Sequence, residues 1–216
     1  MDATPWDGAR VRDALQPWAV ERRDQLADAA RDGDWETVFQ ILDDDPALIN
    51  STRLEGRSQY TPLHQAAWHG ALTETVERLL AYGAWRTLRT SAGKRPIDIS
   101  EERGHQHLAR VLRPVVKHSV PQDVLAILQR NVYELIAGYD TNAHQMRHMP
   151  ELEVLTELDR PAYWFRVTGG GFLIVLRGFE LVVDAVSPMD YDSGARYRVT
   201  ADGIFFSSGE PWTPTA

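Results

Sequence analysis

The segment Tyr60–Ala84, YTPLHQAAWHGALTETVERLLAYGA, carries the signals for two short helices joined by a turn. Thr61 can cap the first helix, and Pro62 suits its first position because the amide that proline lacks would have no partner there. Gly70 and Gly83 mark the two helix ends, since glycine adopts the left-handed conformation found there. The segment therefore predicts a helix–turn–helix pair.

The second of these helices has apolar residues on one side only. They recur at spacings of three and four, which is the period of an amphipathic helix. They are Leu72, Val76, Leu79 and Leu80. Neither helix is long enough to be stable alone, so the pair is predicted to stack on similar pairs.

Three motifs occur in order within this segment: TPLH at 61–64, AA-x-x-G at 66–70 and LL-x-x-GA at 79–84. In this order they resemble an ankyrin repeat. Residues 26–50 and 91–115 follow the same pattern more loosely, although Arg95 stands where the family has its capping threonine. The resemblance implies about three repeats, an ankyrin-repeat domain over 25–117 and a longer loop at 51–59.

The segment before the repeats, residues 1–24, has Trp6, Val11, Leu15 and Trp18 spaced loosely as one helical face. We interpret it as a leader helix that covers the open end of the repeat stack. Pro17 is expected to break or kink any helix there. The alternative interpretation is a partly disordered tail.

Residues 118–216 do not repeat. A helix is predicted over 121–138, and from residue 162 the apolar period changes to two, as in strands. We predict an α+β domain with an antiparallel meander curled on the helix. The fold class of the whole chain is therefore α+β, an N-terminal ankyrin-repeat helical stack followed by this small domain. The C-terminal part also resembles that of bacterial ankyrin-repeat proteins, in which it has no established role; the resemblance runs from His118-Ser119-Val120-Pro121 through Trp164-Phe165 and the glycine run.

Composition limits the classes of function. The net charge of −8 argues against nucleic acid or an anionic membrane as the main partner. The chain has no cysteine, which excludes disulfides, a thiol nucleophile and zinc–thiolate sites. No stretch resembles a signal peptide or reaches transmembrane length, so a cytoplasmic location is expected.

Few residues suggest catalysis or metal binding. The resemblance gives His64 a structural role, in which its ring bridges backbone groups of neighbouring repeats. His144 and His148 have metal-ligand spacing, but no carboxylate motif accompanies them. Gly169–Gly171 opens no helix and is interpreted as a turn or bulge rather than a phosphate cradle. We predict no cofactor and no metal.

The ankyrin resemblance also implies which residues bind a partner. In that family the residues before TPLH and before the glycine of AA-x-x-G face a concave groove. At these positions stand Tyr60, Trp68, His69, Arg31 and Arg103, which are the predicted partner-binding residues. Trp85 is added to them because it stands where the family usually has the aspartate of GAD, close to the next hairpin. Aromatic residues and arginine often carry interface energy. The alternative for Trp68 is simple packing against a neighbouring repeat.

Three classes of function remain open. The first is a protein-recognition module or adaptor, and the second, its special case, is an inhibitor or immunity-type protein that neutralises a basic effector. The third is an enzyme or small-molecule binder, for example of a biosynthetic pathway, with a pocket in the C-terminal domain. The candidate pocket residues are Trp164, Asp184, Tyr191 and His144. We favour recognition of a protein.

Overall fold

The computed structural model describes residues 4–6, 8–139, 148–167, 170–186 and 194–209. The fold is α+β, as predicted, with helices and a mainly antiparallel sheet. Contacts divide the chain into two compact units. The helical unit is Ala9–Val115, and the sheet unit contains the described residues before Ala9 and after Val115. The chain therefore starts in the sheet unit, passes through the helical unit and returns.

The helical unit contains three consecutive helix pairs. Their α-helices are α1 (Pro17–Asp32), α2 (Trp35–Asp44), α3 (Pro62–His69), α4 (Thr73–Ala81), α5 (Pro96–Glu102) and α6 (Ala109–Leu112). Short 3-10 helices occupy Arg12–Ala14, Pro46–Asn50 and Gln106–Leu108. Helices α1, α3 and α5 pack side by side in that order, and each also packs on the second helix of its own pair.

Small and branched apolar side chains explain this packing. Ala66 and Ala67 of α3 are fully buried, so the neighbouring helices approach its backbone closely. Val76 and Leu79 of α4 are also fully buried, whereas Leu72 just before that helix is 72% exposed. The predicted apolar stripe is therefore correct for Val76 and Leu79 but not for Leu72.

The third pair begins without the usual threonine cap. The carboxylate of Asp98 accepts hydrogen bonds from the Arg95 backbone N–H at 2.8 Å and from its guanidinium at 3.2 and 3.3 Å. Asp98 thus serves the amide of Arg95, the residue at the capping position, as the third helical residue does in a capping box. Helix α5 begins at Pro96 although Arg95 stands at the capping position.

The predicted leader helix over 1–24 is wrong in its extent. Thr4–Trp6 form a strand, and the first α-helix begins at Pro17 and continues to Asp32. Pro17 occupies the first turn of this helix, where its missing N–H has no cost, so it starts the helix instead of breaking it.

The sheet unit has six strands in sequence order. They are β1 (Thr4–Trp6), β2 (Ala162–Val167), β3 (Gly170–Arg177), β4 (Glu180–Val186), β5 (Gly194–Thr200) and β6 (Gly203–Ser208). Strand β1 is parallel to β2, and the other neighbours are antiparallel. Two helices, α7 (Gln122–Tyr139) and α8 (Glu153–Glu157), belong to the same unit.

One face of this sheet forms the core of the unit. Phe165, Phe172 and Ala185 pair across β2, β3 and β4 and are fully buried. Helix α7 packs on β5 and β6 with apolar side chains that include Leu128 and Val132. The alternation of buried and more exposed residues along the strands explains the period of two in the sequence.

The N-terminal strand is held by polar contacts as well as by the sheet. The indole Nε1–H of Trp6 donates to the carbonyl oxygen of His148 at 2.7 Å, and the His148 N–H donates to the carbonyl oxygen of Gly8 at 2.6 Å. Trp6 is 5% exposed. This buried anchor explains why a three-residue strand stays paired at the sheet edge.

Candidate protein-binding surface

Trp68 lies in the last turn of α3 and is 41% exposed. The guanidinium carbon of Arg103, which follows α5, lies 4.0 Å from the centre of the Trp68 ring. A guanidinium stacked at this distance over an indole is attracted by the ring's negative face. The pair holds a large aromatic side chain in one orientation at the surface of the helical unit.

Tyr60 completes this group from the residue before the α3 cap. Its ring meets the Trp68 ring edge-on, with 6.3 Å between their centres, and lies 5.7 Å from the ring of His64. Tyr60 is half-buried and packs against the hydrophobic core. We call Tyr60, Trp68 and Arg103 the aromatic surface.

His69 follows Trp68 at the end of α3, and Arg31 lies in α1, one helix pair earlier. The Nε2–H of His69 donates to the carbonyl oxygen of Arg31 at 2.8 Å, and the His69 ring lies edge-on to Trp35. The Arg31 guanidinium pairs with Asp32 at 2.9 Å and Asp28 at 3.0 Å, and these carboxylates raise the pKa of Arg31. Because both of its neighbours are acidic, Arg31 offers less free charge to a partner than Arg103 does.

Arg103 differs from Arg31 in this respect, since it makes no ion pair with any residue that the structure describes. Nearby, Lys94 forms an ion pair with Glu102 at 2.6 Å. The carboxylate of Glu102, the residue before Arg103, is therefore already paired with Lys94. The guanidinium N–H groups of Arg103 therefore stay available while its flat face rests on Trp68.

A histidine that the sequence did not single out supports Trp68. The Nε2–H of His105 donates to the backbone carbonyl of Trp68 at 3.2 Å. The His105 ring lies so close to Gly70 that a Cβ atom there would be 2.5 Å from Nδ1. Gly70 has a φ of 61°. Glycine is therefore required here both for its left-handed conformation and for the close approach of His105.

Replacing Gly70 by alanine should cost more stability than replacing Gly104. Both glycines have positive φ, so alanine introduces strain of about 1–2 kcal/mol at each position. Only at Gly70 must His105 move and lose its hydrogen bond to Trp68, which adds about 1 kcal/mol. Urea denaturation of Gly70→Ala and Gly104→Ala measures the difference, and equal losses would contradict this account of how Trp68 is supported.

Trp85 does not belong to the surface, contrary to the prediction from the repeat pattern. It is 2% exposed, and its backbone N–H donates to Oδ1 of Asn50 at 2.9 Å. The amide of Asn50 also donates to the carbonyl oxygen of Gly83 at 3.0 Å. These two bonds fix the turn after α4 and direct the indole inwards, so a partner cannot reach it.

His64 has the structural role that the resemblance implied. Its Nδ1 accepts from the Thr61 N–H at 3.2 Å, and its Nε2–H donates to the carbonyl oxygen of Leu88 at 3.1 Å. The side chain is fully buried, and this burial lowers the pKa of His64 to about 4. The ring is therefore neutral at pH 7 and connects α3 to the loop that leads to the next helix pair.

Two of the four residues proposed for a C-terminal pocket, His144 and Tyr191, lie outside the described residues. Asp184 is described, and its carboxylate accepts hydrogen bonds from Arg196 at 2.6 and 3.0 Å. Trp164 and Asp184 stand in one row across the sheet, with Leu173 between them. Both oxygens of Asp184 are thus engaged by a neighbouring strand.

The predicted spacing of His144 and His148 also falls partly outside the described residues, as does Gly169 of the glycine run. Among the residues that the structure does describe, no group of three or more histidine or carboxylate side chains could hold a metal ion. No helix in the described ranges is both long and apolar enough to cross a membrane.

Comparison with known proteins gives one informative similarity. No family model matches the chain. A stretch of 53 residues is 45% identical to Ankyrin repeat and SOCS box protein 11 from Danio rerio, which covers 24% of this chain and 18% of that protein. The similarity indicates ankyrin-type repeats in part of the chain and suggests a role in protein–protein interaction. The match spans less than a fifth of the relative's length.

Proposed function

We propose that the helical unit is a stack of three ankyrin-type repeats that binds a protein partner through the aromatic surface. The adaptor or inhibitor role and the division into domains at 25–117 and 118–216 are parts of the same proposal. The observation that carries it is the stacked pair of Trp68 and Arg103, which places a rigid aromatic and a free guanidinium side by side. Tryptophan and arginine are the residues most often found as interface hot spots.

The surface is also ordered before a partner arrives. Trp68 is restrained by Arg103 on one face, by Tyr60 at its edge and by His105 through its backbone carbonyl. A side chain that is already restrained loses little conformational entropy on binding, which favours affinity. His69 and Arg31 extend the surface towards the first helix pair.

The charge of the whole chain influences how a partner is approached. A net charge of −8 attracts a basic protein over distances of about the Debye length and speeds association at low salt. This favours a basic protein as the partner, as expected for the inhibitor hypothesis. Association should then slow as the salt concentration rises.

Replacing Trp68 by alanine should abolish capture of the partner while leaving the fold intact, because exposed aromatic hot spots contribute about 2 kcal/mol or more. The measurement is affinity capture from the native host, followed by mass spectrometry and by titration of the protein captured. Trp18→Ala is the matched control, since Trp18 is 70% exposed on α1 and lies outside the aromatic surface.

The competing function, small-molecule binding or catalysis by the sheet unit, predicts the opposite pattern. Asp184→Ala should then remove activity, and Trp68→Ala should matter only through stability. A folded Trp68→Ala protein that captures the partner as well as the parent does would reject the proposed surface. Loss of capture in Trp18→Ala but not in Trp68→Ala would move the binding site to the first helix pair.

A further inference from the structure

A second surface of the helical unit is positively charged, whereas the chain as a whole is negatively charged. Between α4 and α6 lies an open cleft of about 580 Å³. Its charged lining consists of Arg86, Arg110, Arg113 and Glu77, with His107 at its border. Three arginines against one glutamate make the cleft locally basic in a protein whose net charge is −8. We call this group the basic cleft.

Two of its basic residues are fixed in position. The Arg86 Nε–H donates to the carbonyl oxygen of Val111 at 3.0 Å, and the His107 Nε2–H donates to the carbonyl oxygen of Ala71 at 3.1 Å. These bonds connect the turn after α4 to α6, and the 3-10 helix before α6 to the turn before α4. The walls of the cleft are thus connected by hydrogen bonds and do not depend on a ligand for their shape.

The other two arginines are free to bind. Arg110 on α6 and Arg113 directly after that helix both line the cleft. Both are exposed, and neither forms an ion pair with any described residue. A guanidinium presents its N–H groups in a planar fork that matches a carboxylate with two parallel hydrogen bonds.

The cleft also has apolar walls. Leu80 and Val111 are partly buried against the core and line it from α4 and α6, and Val115, 51% exposed, lines its end. We infer that the basic cleft binds an acidic segment of a protein, with carboxylates on Arg110 and Arg113 and aliphatic side chains against Leu80, Val111 and Val115. This site lies on different helices from the aromatic surface and does not depend on it.

The test uses the full chain and a short fluorescein-labelled peptide in which glutamates alternate with leucines, followed by fluorescence anisotropy. The parent should bind this peptide and not the same peptide with glutamine for glutamate. Arg110→Glu/Arg113→Glu should weaken binding about tenfold or more. The matched control, Arg130→Glu/Arg166→Glu, makes the same charge change at two exposed arginines of the sheet unit and should weaken it less than threefold.

Two more variants separate this inference from its alternatives. Arg110→Gln/Arg113→Gln should also lose affinity for the peptide, without adding negative charge. This variant tests the inference even if the charge-reversed protein fails to fold. Trp68→Ala should bind the peptide as the parent does. The inference is overturned if the parent does not bind, if both charge reversals weaken binding equally, or if Trp68→Ala loses the peptide, since the acidic segment would then occupy the aromatic surface.

Discussion

Replacing Leu79 by alanine should lower the free energy of unfolding of the helical unit by about 2–5 kcal/mol. Leu79 is fully buried in α4, in the core between the helix pairs. The substitution removes buried methylene and methyl groups and leaves a cavity into which the surrounding structure relaxes only partly. Urea denaturation followed by far-UV circular dichroism measures the loss.

Leu72 provides the matched control for this prediction. It is also a leucine and directly precedes α4, but it is 72% exposed. Leu72→Ala should therefore change the free energy of unfolding by less than about half a kcal/mol, as surface substitutions usually do. If the two variants were equally destabilised, the orientation of α4 in the stack would have to be different.

This pair of leucines also illustrates what the sequence could predict. Spacing places Leu72, Val76 and Leu79 on one apolar side, yet α4 starts only at Thr73. Leu72 thus lies outside the helix, where the helical period no longer decides which way a side chain points. Local signals such as Thr61 and Gly70 predicted the limits of α3 correctly because a cap acts within one turn.

Trp85 and the N-terminal strand were not predictable in the same way. The inward position of Trp85 depends on a hydrogen bond to Asn50, which belongs to the preceding helix pair. Strand β1 depends on β2 and on the backbone of His148, both far along the chain. Neither contact leaves a periodic pattern near the residue concerned, so local spacing could not reveal it.

Part of the aromatic surface was predictable, because it depends on the positions of its residues within the repeats. The repeat pattern places Trp68 and Arg103 near equivalent ends of consecutive inner helices, and stacking of α3 on α5 then brings them together. The same pattern gave no sign of His105, because its contact with the Trp68 carbonyl depends on the conformation of Gly70. Repeat position thus predicts neighbours between helices but not the hydrogen bonds of the turns.

Acidification should destabilise the helical unit through His64 at a pH where the carboxylates are still ionised. The pKa of His64 is about 4 in the folded protein, and the ordinary histidine pKa is 6.5. Below pH 6.5 His64 binds a proton in the unfolded chain but not in the folded chain. The contribution of His64 to the free energy of unfolding is therefore fully present above pH 6.5 and falls as the pH approaches 4. The full difference is roughly 3 kcal/mol, at about 1.4 kcal/mol for each pH unit.

The carboxylates of the helical unit whose pKa is lowered affect stability mainly in the lower part of this range. Hydrogen bonds from Thr37 lower the pKa of Asp34. Burial raises the pKa of Asp98, but Arg95 outweighs this effect, so both pKa values lie below the ordinary 3.8. The stability that they contribute is fully present well above pH 3.8, begins to fall near about pH 5 and is lost as the pH falls further. The decline between pH 6.5 and about 5 therefore reports mainly the proton that His64 does not accept.

His64→Asn gives this prediction its specific signature. Asparagine can still accept from the Thr61 N–H but leaves the Leu88 carbonyl without its donor, so we expect a loss of about 1–3 kcal/mol at pH 7. Because the variant has no imidazole at this position, its stability should decline less as the pH falls, and the gap to the parent should narrow towards pH 4. His69→Asn, on the exposed end of the same helix, should keep the parent's decline. Parallel urea titrations of the three proteins from pH 7 to 4 measure this, and a gap that stays constant would mean that His64 is not held neutral by its burial.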